Sequence, residues 1–347
     1  MVSVYDNDKL ELFCRKQGIY DHALKRFRAA YFKKGLPEEE CLANLTESGR
    51  AIFREQVGLT QLQLAEQHDS KLDGASKLVF VTAQQERIEA VILRIDSGRT
   101  SLCISSQLGC SAACAFCATG SLGFTRNLTA AELLDQVVLA RRLLAAEGRQ
   151  LRNVVIMGMG EPFHNEKAVC AALECLRDVR CFYLSERHLL VSTVGVPAAM
   201  LHFVGHYPKI RLALSLHSAR PEVRARLMPH GGAAALAKIR AALPALTRHG
   251  NFMVEYLLLE GINAGPADVN ALIEWLAGVK AHINLIHFNP FPGSTFKPVT
   301  DAAREVFAAA LRRAGFKVTL RRSLGADIAA ACGQLAGSSG ASQGVPS

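Results

Sequence analysis

No apolar run in the 347 residues approaches the roughly 18 to 20 consecutive apolar residues of a membrane-spanning helix, although 50% of the chain is hydrophobic. The start, MVSVYDNDKLELF, lacks the basic-then-apolar order of a secretory signal and carries acidic residues instead, so a cytoplasmic protein without membrane contact is expected. Acidic residues are in deficit: 31 Asp and Glu against 40 Lys and Arg leave a net charge of +9. That excess favours a polyanionic partner through long-range attraction and counterion release. Disulfide staples are not needed either. A chain of this length can bury a large core, and a reducing compartment makes ten cysteines better candidates for metal binding or catalysis than for a disulfide framework. Cys14, Cys41, Cys170, Cys175 and Cys181 stand in helix-like or apolar stretches without ligand-like spacing and are expected to be buried thiols.

From about Asp6 to Gln67 the apolar residues recur at spacings of three and four, which predicts a small helical accessory module over residues 1–76. Within it Arg15, Lys16, Lys25, Arg26, Arg28, Lys33 and Lys34 interleave with Tyr20, Phe27, Tyr31 and Phe32. Such a pattern is either a solvated basic face opposite an aromatic packing face or an RNA-contacting surface. Residues 77–96 alternate around Gln84 and Gln85 and predict a β-hairpin connection.

Beyond it, strand-like runs at 101–105, 153–157, 188–193, 211–217, 252–259, 283–288 and 316–321 alternate with helix-length stretches such as 129–147, 265–278 and 301–315. Repeated strand–helix alternation predicts an α/β core over 97–335, a parallel sheet rolled into a full or partial (β/α) barrel. Its chemistry belongs at the C-terminal strand ends. The small, polar residues of 336–347 predict a disordered tail.

Directly after the first core strand, GCSAACAFCATG spaces Cys110, Cys114 and Cys117 as CxxxCxxC. Three thiolates hold three corners of a [4Fe–4S] cluster and leave one iron free to chelate the amine and carboxylate of S-adenosylmethionine (SAM), whose reductive cleavage gives a carbon radical. A structural zinc site would require a fourth Cys or His at short spacing, and none follows before His164. One unit later NVVIM runs into GMGEP, where Gly158, Gly160 and Glu161 allow close backbone approach to an amino-acid ligand. Ser192, Ser215, His217 and Asn289 stand at further strand ends, where interior packing asks for no polar group. Cys103 precedes the cluster loop and Cys332 follows the last strand. They are either two unrelated buried thiols or a pair facing one another where the first and last units of a barrel meet.

Taken in order, CISSQLGCSAACAFCATGSLGFTRNLT, NVVIMGMGEP, LLVSTVGV, LALSLH, NLIHFNPFPG and ADIAAACGQLAG resemble the RlmN/Cfr family of radical SAM adenine methyltransferases. The resemblance covers roughly residues 85–337 and implies a substrate of structured RNA, 23S rRNA or tRNA. It further implies that Cys110, Cys114 and Cys117 bind the cluster, and that Gly160, Glu161, Ser192, Ser215, His217 and Asn289 contact SAM. Cys332 is implied to accept a methyl group, Cys103 to resolve the protein–RNA intermediate as a disulfide, and Glu89 to accept the ring proton. Two SAM molecules per turnover, an external donor such as flavodoxin or ferredoxin, and a monomer are also implied. CATG and LSERHLLVSTVG look more like the members that modify carbon 8, GMGEP and NPFPG more like those that modify carbon 2, so the ring carbon stays open. The segment RLMPHGGAAALAKIR looks shorter than its family counterpart.

Two other readings share part of this pattern. A radical SAM enzyme acting on a small molecule or protein would keep the cluster but have no use for Cys332. A non-catalytic RNA-binding protein would hold a structural metal and cleave no SAM.

Overall fold

The computed structural model describes residues 1–230, 232–321 and 323–337. A ten-stranded sheet organises the chain. Its strands are β1 (Gln63–Asp69), β2 (Ala75–Val81), β3 (Arg87–Arg94), β4 (Thr100–Ile104) and β5 (Asn153–Ile156), followed by β6 (Leu189–Thr193), β7 (Arg211–Ser215), β8 (Phe252–Leu258), β9 (His282–His287) and β10 (Lys317–Arg321). Spatial order equals chain order. Strands β1 to β4 pair antiparallel, and β4 to β10 pair parallel. Because β1 and β10 remain the two edges, the sheet is a partial barrel, not a closed one.

The parallel strands read as apolar runs because crossover helices cover their outer face while the barrel interior covers the other; all five residues of β6 are buried. The first crossover helix, Ala130–Ala146, shows why these stretches fold where they do. Thr129 Oγ1 accepts the Glu132 N–H and the Glu132 carboxylate accepts the Thr129 N–H, closing a capping box. Behind it Leu133, Leu134, Val137, Val138 and Leu144 turn to the core.

Two sequence expectations shift. The helical pattern ends at Gln56, not near Gln67, and Gln63–Asp69 is an edge strand of the main sheet. QLAEQHD buries every second residue partly and exposes the rest, the two-residue period of a half-covered strand. The hairpin of β2 and β3 forms around Gln84 and Gln85, but it is the continuation of the barrel sheet, with Val91 opposite Cys103 of β4.

The N-terminal helices Asn7–Lys16, Asp21–Arg28, Glu38–Leu42 and Glu47–Gln56 pack on the outside of the barrel. Phe27, Tyr31 and Phe32 are fully buried, and the Phe32 ring lies 5.0 Å from that of Phe182. Arg28 is buried and ion-paired to Glu11 at 2.7 Å, whereas Arg15, Lys16, Lys25, Arg26, Lys33 and Lys34 are exposed. The aromatic members of the motif are therefore core, Tyr20 excepted. The five cysteines expected to be ordinary thiols are free; Cys170 is half-buried and the others are buried. No described helix is long and apolar enough to cross a membrane. The tail expected over 336–347 lies outside the described residues from Ser338 onward.

Candidate active site

Parallel strands bring all their C-terminal ends to one rim, so residues far apart in sequence meet there. Between β4 and β5, the short strands Gln107–Gly109 and Phe124–Asn127 pair and clasp the cysteine loop between them. The Cys110 N–H donates to Gly123 O at 2.8 Å and the Ala115 N–H to Leu227 O at 2.9 Å. Gly120 is required by close approach, since a Cβ there would stand 2.5 Å from Cys114 O.

Cys110, Cys114 and Cys117 line one cavity together with Gly160, Glu161, Ser192, Ser215 and His217. Burial pushes the Cys110 thiol up to about 11 and raises Cys114 and Cys117 as well. A bound cation reverses that preference and holds such thiols as thiolates. Among the described residues no three His, Cys, Asp or Glu side chains converge as a single-ion site. Three soft sulfur donors carried on one loop and facing a common cavity suit a polynuclear iron–sulfur cluster that leaves one iron open.

The remaining wall is pre-organised. Gly160 has φ +99°, and a Cβ would approach Gln107 Cβ to 2.5 Å, so the GMGEP turn admits only glycine there. Glu161 is buried; its carboxylate accepts from the Phe163 N–H at 2.9 Å, the Thr193 hydroxyl at 2.7 Å and the Val194 N–H at 2.7 Å. Burial raises its pKa against those three donors. Ser192 and Ser215 hydroxyls lie 3.2 Å apart on neighbouring strands. The imidazole of His217 is pressed down to about 3 by burial and by Arg224, so it is neutral. Its Nδ1 accepts the Leu257 N–H at 3.0 Å, which leaves the proton on Nε2, and Phe116 packs edge-on at 4.7 Å.

A second cavity, about 330 Å³, opens beside the first and is lined by Val91, Leu93, Cys103, Arg321, Cys332 and Leu335 among others. Cys332 borders both cavities, as do Cys117, Thr119 and Gly158. The two candidate thiols thus share one chamber, and burial, reinforced by Cys332, pushes Cys103 up to about 12. The Cys332 segment is anchored on the cluster loop: the Ala118 N–H donates to Gly333 O at 2.7 Å and the Thr119 hydroxyl to Leu335 O at 2.5 Å.

Two expected site residues stand one step behind the cavity walls. Asn289 Nδ2 donates to Cys332 O at 3.2 Å and to Ser323 Oγ at 2.9 Å, so here it positions the Cys332 segment. Glu89, fully buried on β3 below Val91, accepts the Ala336 N–H at 2.9 Å and lies 3.6 Å from Lys77 Nζ. Sequence reasoning missed Thr193, Glu255 and Arg224. Thr193 follows a residue already singled out. Arg224, fully buried with its pKa pressed down to about 10, ties Leu216 O at 3.0 Å to Val194 O at 2.6 Å across two strand ends, and RPEVRARL carries no signal of that.

Residues 104–276 match the Radical SAM superfamily. A Rhodopirellula baltica protein named a probable RNA methyltransferase is 41% identical, over 96% of this chain and 87% of its own length. The dual-specificity RNA methyltransferase RlmN of Syntrophobacter fumaroxidans is 38% identical over 92% of this chain and 93% of its own. A crystal structure of a radical SAM methyltransferase from Sphaerobacter thermophilus superposes with a TM-score of 0.92 at 31% identity, covering 97% of this chain and all of that one. With a CxxxCxxC loop at the rim of a partial barrel and relatives of this closeness along nearly its whole length, the chain belongs to the RlmN family of radical SAM RNA methyltransferases, enzymes that use a [4Fe–4S] cluster and SAM.

Proposed function

We propose that this enzyme methylates a ring carbon of adenine, carbon 2 or carbon 8, in 23S rRNA or tRNA, through a methyl group carried on Cys332. The observation that carries the reading is the position of Cys332 on the shared wall of the two cavities, with Cys103 lining the second. Cys110, Cys114 and Cys117 would hold the cluster, and Gly160, Glu161, Ser192, Ser215 and His217 would line the SAM site. Bound there, the cluster and two SAM molecules per turnover supply a methyl group and a carbon radical.

The chain's own residues do the rest. An adenine ring carbon of this kind is not nucleophilic, so the Cys332 thiolate takes the methyl group in its place. Once a hydrogen atom is lost from the S-methyl group, that carbon joins the ring. Glu89 takes the ring proton, the one electron that must leave would pass to the cluster, and the Cys103 thiolate attacks the Cys332 sulfur while the departing methylene carbon takes up a proton to become methyl. The carbon–sulfur bond breaks, freeing the methylated base and leaving a Cys103–Cys332 disulfide. Lys77 and the Ala336 N–H would hold Glu89 in place, which leaves it one side-chain movement from the cavity. Asn289, implied by the resemblance as a SAM contact, acts in this reading through Cys332.

The reading extends to a cytoplasmic monomer reduced by a flavodoxin or ferredoxin, with the exposed basic residues of the helical module over 1–76 contacting RNA and the barrel over 97–335 doing the chemistry. Mass spectrometry of nucleosides from 23S rRNA and tRNA of cells with and without the gene is the direct test. One methyladenosine isomer should vanish with the gene and identify the carbon. Identical adenosine profiles in both strains would refute the proposal.

A further inference from the structure

The opposite end of the barrel carries a pattern that the chemistry at the rim does not use. Because β4 to β10 run parallel, their N-terminal ends share one mouth, and a basic residue stands at the first position, or the one before it, of six of these strands. These are Arg99 before β4, Arg152 before β5, His188 before β6, Arg211 on β7, His282 on β9 and Lys317 on β10. Their charges act on one another. Burial and the neighbouring Arg152, Arg187 and Arg211 lower the pKa of His188; burial, Lys317 and Arg211 lower that of His282. Burial and then Arg99 depress Arg211 itself, opposed by Glu255. A self-repelling ring costs the free protein stability and is relieved by a bound anion.

The ring opens inward. A chamber of about 250 Å³ is lined by Arg99, Arg211, Arg321, Glu255, Asn284 and Thr319 among others. Three guanidinium groups face one carboxylate there, so the lining stays cationic even with Glu255 ionised. Its donors are under-used: among the described residues Arg211 Nε is buried without a hydrogen-bond partner, and Arg321 Nη1 meets the weak acceptor Met157 Sδ, at 3.9 Å. Glu255 Oε2 is likewise buried and unpartnered, while its Oε1 accepts from Asn284 Nδ2 at 3.0 Å. The chamber shares Arg99, Ser101, Val155, Met157 and Arg321 with the cavity of Cys103 and Cys332. Along β4, Cys103 lies three residues from Thr100, about 10 Å at the usual strand rise. That is within the span of one nucleotide, from its phosphate to its base.

We propose that this N-terminal mouth is the RNA entry port, in which Arg99 and Arg152 at its rim and Arg211 on its inner wall grip phosphodiesters next to the target nucleotide while its base extends through the chamber to the two cysteines. The inference rests on the reading of this protein as an RNA-modifying enzyme. It adds where the strand enters and which residues hold it. Guanidinium groups suit the task because their fork of N–H donors matches phosphate oxygens.

The test uses the full-length, cluster-loaded enzyme, with tRNA and 23S rRNA purified from cells lacking the gene as substrates and salt varied. Arg99 and Arg152 are exposed, so R99Q/R152Q should fold normally; R211Q probes the inner wall, and K167Q/K238Q removes equal charge from exposed positions on crossover helices. Loss of two phosphate contacts should raise the KM for RNA about 10-fold or more and flatten the slope of log KM against log salt by about one to two. Iron content should match that of the wild type, and the melting temperature should be no lower, since two charges of the self-repelling ring are gone. R211Q should raise KM likewise, and K167Q/K238Q should leave both KM and slope near wild type. If R99Q/R152Q keeps the wild-type KM and slope, or if K167Q/K238Q weakens binding equally, the entry port is refuted while the RNA reading stands. If the wild-type enzyme methylates neither RNA, the parent reading falls and takes this inference with it.

Discussion

Cys332 and Cys103 are chemically alike, and only their surroundings separate their roles. Cys332 borders both cavities and Cys103 only the second, so of these two thiols Cys332 is the one that, in the proposed reaction, would carry a group from the SAM side to the substrate side. Cys332→Ala should therefore yield neither methylated RNA nor a covalent adduct. Cys103→Ala stops the reaction later, after carbon has joined Cys332 to the base, and should accumulate a protein–RNA species on denaturing gels. That species should disappear in the double variant. Normal RNA methylation by Cys103→Ala without an adduct would disprove the two-cysteine route. Asn289 offers a second test at this scale. Its amide holds Cys332 O and Ser323 Oγ, and loss of such contacts costs about 1 kcal/mol each. Asn289→Ala should slow methyl uptake on Cys332 about tenfold while leaving the iron content and the affinity for SAM close to wild type. A SAM affinity that collapses with Asn289→Ala would instead make it a direct SAM contact. That Cys110, Cys114 and Cys117 would face one cavity was legible in the sequence because their spacing is local. The double anchoring role of Asn289 was not, since it depends on where residues 34 and 43 positions later fold back.

The core strands were legible for a related reason: burial on both faces writes a strand as an unbroken apolar run. Gln63–Asp69 was not, because an edge strand with one solvated face is mostly polar and its short alternation is easily taken for a helical period. What fastens that edge to the barrel is Asp135, on the first crossover helix. It accepts the Gln61 N–H at 2.7 Å, the Leu62 N–H at 3.0 Å and the Tyr5 hydroxyl. Burial outweighs these donors and lifts its carboxyl to about 6, above the ordinary 3.8. The folded state therefore binds this proton more tightly than the unfolded chain does. The resulting stabilisation is full at low pH and is lost as pH rises through about 6. Glu86 and Asp178 are shifted downward, whereas burial also raises Glu161 and Glu255, whose contributions are common to the wild type and an Asp135 variant and cancel between them. Asp135→Asn cannot titrate. Between pH 5 and pH 7 the wild type should lose about 1 kcal/mol relative to Asp135→Asn, read from anaerobic urea unfolding of both proteins. An unchanged difference would mean that Asp135 is ionised throughout.

At the scale of the whole molecule, the open question is whether the N-terminal helices are a separable module or part of one cooperative structure. The sequence invited the first view, because residues up to Gln56 have a helical period and a charge pattern of their own. Contacts across the boundary favour the second. Phe32 is fully buried against Phe182, which lies between a crossover helix and β6, Arg141 donates to Phe32 O, and Gly35 packs so close to Arg141 O that a Cβ would stand 2.7 Å away. A module held by such contacts cannot be deleted without exposing barrel surface, so its contribution to RNA binding is better probed by reversing exposed charges such as Lys25 and Arg26. The chain's single tryptophan, Trp275, lies at the end of a crossover helix far along the sequence from Phe32, so its fluorescence reports on the barrel alone. Phe32→Ala removes a fully buried ring, a change that costs about 3 to 5 kcal/mol when the surroundings do not collapse. If helices and barrel unfold together, that whole cost should appear in the Trp275 transition, as a lower denaturant midpoint with an unchanged slope. Far-ultraviolet circular dichroism should trace the same single curve. A Trp275 transition left in place while part of the helical signal melts early would show an independent module.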